Sequence, residues 1–362
     1  MKPYRQAPGL TLIELLVSIS IGLIVVGALA ALYLSTARSY RQLEALGQLQ
    51  SNARYVFELM GYDIRMAGNW GCHVPGQPAP ANFVSHYANQ WWSNTDRPLF
   101  GQDETADGNA RGDASFPEDY KNEALRSDTL IALRANADDT TGTVGVYDLG
   151  SGSIPFSDAG HKGFKAGALL LLTDCNTTAT VFQKTGPPAN GETSPIEHKV
   201  SGNCKEDLKG DCASPGSLQD MSGAKVLPLS ANAYYLRNSG RKYGNSGNYI
   251  PSLYRQTLST SGNAPGTTAQ ELVSGVTDLQ ILYGVATPAA DGNLIIDNYA
   301  TASNVSDWSR VLSVRITVTL ESQDDNLSDI SRSFTLGNGT VVTDRRLRRS
   351  YTMTLGLRKR LS

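Results

Sequence analysis

The sequence predicts an α+β protein: a long N-terminal helix, its first half spanning a membrane, packed on a C-terminal antiparallel β-sheet head with long loops. Three observations carry this. Leu15 to Leu34 is an uncharged run of twenty apolar or small residues. Beyond it, apolar residues recur at spacings of three and four as far as Ile64. The C-terminal third alternates apolar and polar residues in strand-length runs.

The apolar run comes first. At ~1.5 Å rise, twenty residues make roughly 30 Å of helix, the thickness of a bilayer's hydrocarbon core. A short basic leader, Met1 to Pro8, precedes it. Glu14 sits just inside the apolar region. A charged side chain in lipid costs a few kcal/mol, somewhat less near a helix end than at its centre. A carboxylate held there points to a function and to a positive partner. Two plainer readings compete. Leu15 to Val26 has the length of a signal-peptide core, and Ala28-Leu29-Ala30 fits its cleavage site. An uncleaved membrane anchor would also need such a run. Glu14 and the unbroken helical pattern past Ala30 speak against the first. Lys2 and Arg5 before the span balance Arg38 and Arg41 after it, so loop charge hardly orients it.

After Leu34 the pattern turns amphipathic. Leu43, Leu46, Leu49, Ala53, Val56, Phe57, Met60 and Ile64 fall on one helical face. Arg41, Glu44, Gln48, Arg54 and Asp63 are assigned to the other positions. Gly68 is a C-terminal stop signal. One helix from about Leu10 to about Ala67 is expected, roughly 85 Å long if straight.

The remaining chain is large enough for one substantial core with insertions. Of 362 residues 40 % are hydrophobic and 18 % charged, with net charge −2. That is neither a disordered composition nor a basic, nucleic-acid-binding one. Residues 69 to 127 are rich in Trp, Asn, Pro, Gly and Asp and show little periodicity; Arg111-Gly112-Asp113 within them is taken as loop. Strands are expected at Thr129 to Leu133, Ala168 to Thr173, Thr180 to Gln183, Ala233 to Arg237 and Ser252 to Gln256. Residues 186–223 look like long surface loops. Three more strands follow: Val276 to Val285, Val311 to Leu320, and Ser350 to Leu357 with Tyr351, Met353, Leu355 and Leu357 on one side.

The four cysteines, Cys72, Cys175, Cys204 and Cys212, allow three pairings. In an oxidising periplasm an even count indicates two disulfides. Cys204 and Cys212 lie in one polar loop and are expected to close it. Cys72 would then join Cys175 and tie the helix end to a strand. Buried free thiols are the alternative. No CxxC and no histidine at metal-ligand spacing is present, so no metal is expected. His73, His86, His161 and His198 are scattered through polar loops. No G-x-S-x-G, P-loop or H-E-x-x-H motif occurs, so neither enzymatic activity nor a cofactor is expected. Gln323 to Asp329 is dense in oxygen ligands but lacks the calcium-loop spacing and glycine, and is taken as a solvated loop. Arg345-Arg346-Leu347-Arg348-Arg349 and Arg358-Lys359-Arg360 could meet phosphates, lipid head groups or acidic neighbours, or simply be solvated.

Gly9-Leu10-Thr11-Leu12-Ile13-Glu14-Leu15-Leu16-Val17 resembles the prepilin signature of type IV pilins and type II secretion pseudopilins. The resemblance implies that a prepilin peptidase cuts after Gly9 and that the new amine of Leu10 is methylated. Leu10 stands where the family most often has phenylalanine. The family glutamate matches Glu14, whose charge would pair with the Leu10 amine of a neighbouring subunit. The segments Gly275 to Val285, Trp308 to Arg315, Asp344 to Arg349 with the strand after it, and Arg65-Met66-Ala67-Gly68 before Cys72 resemble the PilW family of type IV pilus minor pilins. Residues from about 76 to 225 match nothing recognisable. The resemblance implies three parts: a leader over 1–9, a helix over 10–67 with its span at about 10–34, and a periplasmic head over 68–362. It implies a single-pass subunit of the bacterial inner membrane, incorporated into the pilus or its tip complex. Implied partners are the prepilin peptidase, other minor pilins and the major pilin, the inner-membrane assembly platform, and lipid along 10–34; nucleic acid is not expected. A type II secretion minor pseudopilin of the J kind is the near alternative. A membrane-anchored periplasmic adhesin or binding protein is the distant one.

Overall fold

A computed structural model describes residues 11–71, 79–84, 90–103, 127–136, 142–147, 149–157, 164–176, 178–187, 195–214, 216, 220–244, 247–288 and 294–357. One helix, α1 (Leu12–Met66), leads the chain. The strands follow as β1 (Ala81–Asn82), β2 (Leu99–Gln102), β3 (Thr129–Ala135), β4 (Gly142–Thr143), β5 (Ser153–Ile154) and β6 (Leu169–Thr173). Then come β7 (Ala179–Gln183), β8 (Ile196–Glu197), β9 (Lys225–Lys242), β10 (Tyr249–Ser261), β11 (Ala264–Ser274) and β12 (Val276–Pro288). Last are β13 (Leu294–Ala300), β14 (Val311–Glu321), β15 (Arg332–Thr335), β16 (Val341–Asp344) and β17 (Arg348–Gly356). The expected α+β architecture is what the chain adopts.

Strand β9 is the spine of a nine-stranded sheet. Its first residues pair with β4 and β6, its later ones with β3 and β10. Pro228, which has no N–H to give, lies where the partners change. β11 closes one side beyond β10, while β7 and β1 extend the other beyond β6. The C-terminal strands form a second sheet in the order β13-β12-β14-β17, antiparallel throughout. The β15–β16 hairpin forms a ladder of its own, its turn tied to β12 by the Gly337 N–H donating to Asp278 at 2.7 Å.

The second half of α1 fills the space between the sheets. Leu49, Ala53, Val56, Phe57, Met60 and Ile64 pack with Leu130, Tyr234 and Leu253 of the large sheet and Leu279, Ile281, Val314, Ile316 and Leu355 of the small one. The buried stripe begins later than the periodicity suggested. Leu46 is half-buried and Leu43 is exposed, at a level where Gln42 meets the loop after β14 at Leu327. The helix stops where Gly68 takes φ +73 and its N–H donates to the Leu133 carbonyl at 2.8 Å.

The unrecognised middle region builds the far side of the large sheet. β3 and β6 are buried on both faces, which is why Leu-Ile-Ala-Leu and Leu-Leu-Leu-Leu do not alternate. Ile131, Leu133, Leu169 and Leu171 pack with Trp70, Trp91, Trp92 and Phe100. Leu170 and Leu172 face a third cluster with Phe83, Tyr147, Phe182 and Leu208. The expected surface loop 186–223 is therefore only partly surface. Ile196, His198, Asn203 and Leu208 within it are buried. Cys204–Cys212 is a disulfide with Cα atoms 5.6 Å apart, closing a loop within that segment as expected. Cys175 is also disulfide-bonded, and Cys72 lies outside the described residues.

On β17 the side holding Tyr351, Met353 and Leu355 is not uniformly buried. Leu355 is in the core, whereas Met353 is 39 % exposed at the edge of its sheet.

Candidate functional site: the N-terminal helix and its seat

The first turn of α1 forms a capping box. Glu14 N–H donates to Thr11 Oγ1 at 3.4 Å, and the Glu14 carboxylate accepts the Thr11 N–H at 2.9 Å and its hydroxyl at 2.8 Å. Glu14 thus sits at the positive end of the helix dipole, where a carboxylate is favoured. Gly9 and Leu10, the predicted cleavage and methylation positions, lie outside the described residues. From Leu12 to Leu34 every residue of the helix is exposed: Ile13, Leu16, Leu23, Ile24 and Leu32 are all more than half exposed. Its apolar stretch has mean hydropathy 2.7 and is long enough to cross a membrane.

At its other end the helix is fixed by charge as well as packing. Asp63 was assigned to the polar face, but it is buried. Arg134 Nε lies 3.2 Å from its Oδ1. Asn232 Nδ2 and Tyr234 Oη donate to its Oδ2 at 2.7 and 2.6 Å. Burial, and then the Asp63 charge, push the Tyr234 phenol well up, so it stays a donor. The signals for this cluster were in the sequence. Asp63 lies three residues after Met60 and seven after Val56, and Arg134 is the one charge in an apolar strand.

Two arginines of the cluster at the start of β17, Arg346 and Arg348, are engaged within the head. Arg348 is buried against Glu321 and donates to both Asp344 oxygens at 2.7 Å. Burial pulls the Arg348 pKa down, but Asp344 and Glu321 outweigh it and leave it raised. Tyr243 donates to the same Glu321. The Arg346 guanidinium covers the Tyr243 ring at 3.7 Å and donates to the Ser322 carbonyl at 2.9 Å. Arg345 reaches Asn326 at 3.3 Å, and Arg349 is exposed. Arg358-Lys359-Arg360, Arg111-Gly112-Asp113, His73, His86 and His161 lie outside the described residues.

His198, expected in a polar loop, is fully buried between Phe182 and Tyr147, with Tyr147 Oη 3.1 Å from Nε2. Burial lowers its pKa to about 4. Among the described residues, no group of three or more His, Cys, Asp or Glu is placed to hold a metal.

An exposed apolar helix headed by a capped glutamate and seated at its far end in a β-rich head defines a pilin-type architecture. Comparison with known families agrees. Residues 5–30 match the prokaryotic N-terminal methylation motif. Residues 233–359 match the Type IV Pilus-assembly protein W family, a stretch running from the middle of β9 past the end of β17. Together these support a type IV pilus minor pilin, a structural assembly protein. Pilin families of this kind interact with other pilus components and with the peptidase that cleaves the motif, and the motif with its apolar helix fits membrane anchoring with a periplasmic head. No curated protein and no solved structure matches the chain.

Proposed function

We propose that this chain is a non-enzymatic subunit that helps initiate pilus assembly. It enters the inner membrane through residues 10–34 and is cut after Gly9, releasing the leader 1–9. Leu10 becomes the N-methylated first residue. The helix over 10–67 then packs among those of other minor pilins and the major pilin on the assembly platform, with 68–362 as the periplasmic head. Two disulfides, Cys72–Cys175 and Cys204–Cys212, brace that head.

The observation that carries this reading is Glu14 at the head of a bare apolar helix. Its carboxylate bonds Thr11 in its own turn, and among the described residues no cation accompanies it. A plain anchor gains nothing from such a charge. A neighbour's Leu10 amine, created only by cleavage, would compensate it on assembly.

The test is the intact mass and N-terminal peptide of the protein recovered from its host's membranes. Loss of Met1 to Gly9 with a methylated Leu10 is expected, and Gly9→Val should retain the leader. A chain beginning at Ala31, or one retaining Met1, would defeat the reading.

A further inference from the structure

We propose that the loop between β14 and β15, residues 322–331, rests on the bilayer surface beside the membrane-spanning helix and inserts Ile330 into its interface. The inference rests on residues 12–34 spanning a bilayer. Tyr33, Arg38, Tyr40 and Arg41 follow one another at the end of the apolar run, and Arg38 is the first charged residue after Glu14. Aromatic and basic side chains of this kind collect at the membrane–water boundary. Arg38 lies about 6 Å along the axis beyond Leu34.

The loop meets the helix at this level. Gln42 Nε2 donates to the Leu327 carbonyl, and Arg38 Nη1 to Asp329 Oδ1 at 3.1 Å. Leu327 and Asp329 thus meet helix residues one turn apart, and Asp329 meets the one nearer the span. Ile330 is the next residue and is 64 % exposed. The loop is not free to swing away. Ser322 N–H donates to the Leu347 carbonyl at 2.8 Å, Leu347 N–H to Ser322 Oγ at 3.0 Å, and Ser328 N–H to the Arg345 carbonyl at 3.1 Å. The arginine cluster thus has a use: Arg346 donates to the Ser322 and Gln323 carbonyls at the start of the loop, while Arg348 ties Glu321, the residue before it, to Asp344.

Exposed charges around Ile330 are mixed: Arg332 and Arg345 against Asp324, Asp325 and the Arg38-paired Asp329. That balance does not favour attraction to anionic lipid alone. The contact should be apolar, and should survive salt.

The test uses the full chain in nanodiscs of phosphatidylethanolamine and phosphatidylglycerol. Ile330→Cys, Leu23→Cys and Val146→Cys each carry an environment-sensitive thiol dye, with the wild-type chain as labelling control. Val146 is 93 % exposed and lies two residues from Val144, whose apolar cluster holds no residue of α1. Lipids spin-labelled near the head group or deep in the acyl chain serve as quenchers. The dye at 330 should be quenched several-fold more by the shallow label, at low and high salt alike. The dye at 23 should prefer the deep label, and the dye at 146 neither. An unquenched 330 beside a quenched 23 would overturn the loop contact and leave the span intact. Quenching at 330 that vanishes in high salt would overturn the insertion of Ile330. If 23 is unquenched as well, the spanning reading fails and takes this inference with it.

Discussion

Asp63 of the helix and Arg134 of β3 form an ion pair inside the head, Nε to Oδ1 3.2 Å, with side chains 5 % and 10 % exposed. Two neutral donors, Asn232 and Tyr234, complete the carboxylate's bonding. The pair fixes where along the helix the large sheet sits. Apolar side chains repeating every turn would tolerate a slip; one buried charge does not. Asp63→Ala leaves Arg134 charged and without its carboxylate, and should cost roughly 3–5 kcal/mol. Asp63→Leu with Arg134→Met removes both charges and should cost clearly less than the single change. Urea unfolding of the detergent-solubilised chain measures both. Equal losses would mean that the pair adds nothing beyond side-chain volume.

Arg348 joins Glu321 at the end of β14 to Asp344 at the end of β16. Removing its charge as Arg348→Met strands Glu321 in the interior and releases the loop that follows it. The expected result is local before it is global. Amide hydrogen exchange over 322–328 should speed up by orders of magnitude, while β12 and β14 remain protected. Unchanged exchange in that loop would show that Arg346 and the bonds of Ser322 and Ser328 suffice to hold it.

The strands were legible where apolar and polar residues alternate, as in Val311–Glu321, although that strand is buried on both faces, or where a run is largely apolar, as in Leu169–Thr173. β11 was missed because Pro265, Gly266 and its threonines look like a turn; it is an edge strand ordered by pairing with β10. β13 was missed because Leu294 to Ile296 face outward and carry no alternation. Of the candidate site, Glu14 was legible because a carboxylate beside an apolar run is conspicuous. Asp63 stands at a core spacing, but its pairing was not legible, because the compensating Arg134 is 71 residues away and only folding brings the two together.

His198 gives the head a defined response to acid. Its folded pKa is lowered from 6.5 to about 4 by burial. Between those values the unfolded chain takes up a proton that the folded chain refuses. The stability tied to this neutral ring is complete above about pH 6.5 and declines as pH falls toward 4, by roughly 3 kcal/mol in all. His198→Gln, which cannot take up that proton, should flatten the profile across this window whatever it does to stability at pH 7. Thermal unfolding from pH 7 to pH 4 checks it. A variant as steep as the wild type would place the acid response in other groups.

Glu14 has two separable roles, and two substitutions part them. Its side chain caps the helix by accepting the Thr11 N–H, and its charge is the proposed partner of a neighbour's α-amine. Glutamine can still close the capping box but brings no charge. Alanine loses both the charge and the bond to the Thr11 N–H. If charge governs assembly, Glu14→Gln and Glu14→Ala should both be processed and remain in the membrane, and both should be poorly incorporated into pili. If capping governs it, Glu14→Gln should incorporate like the wild type and only Glu14→Ala should fail. Quantifying the subunit in sheared pili against the membrane fraction decides between them. Wild-type incorporation of both would remove Glu14 from the assembly mechanism altogether.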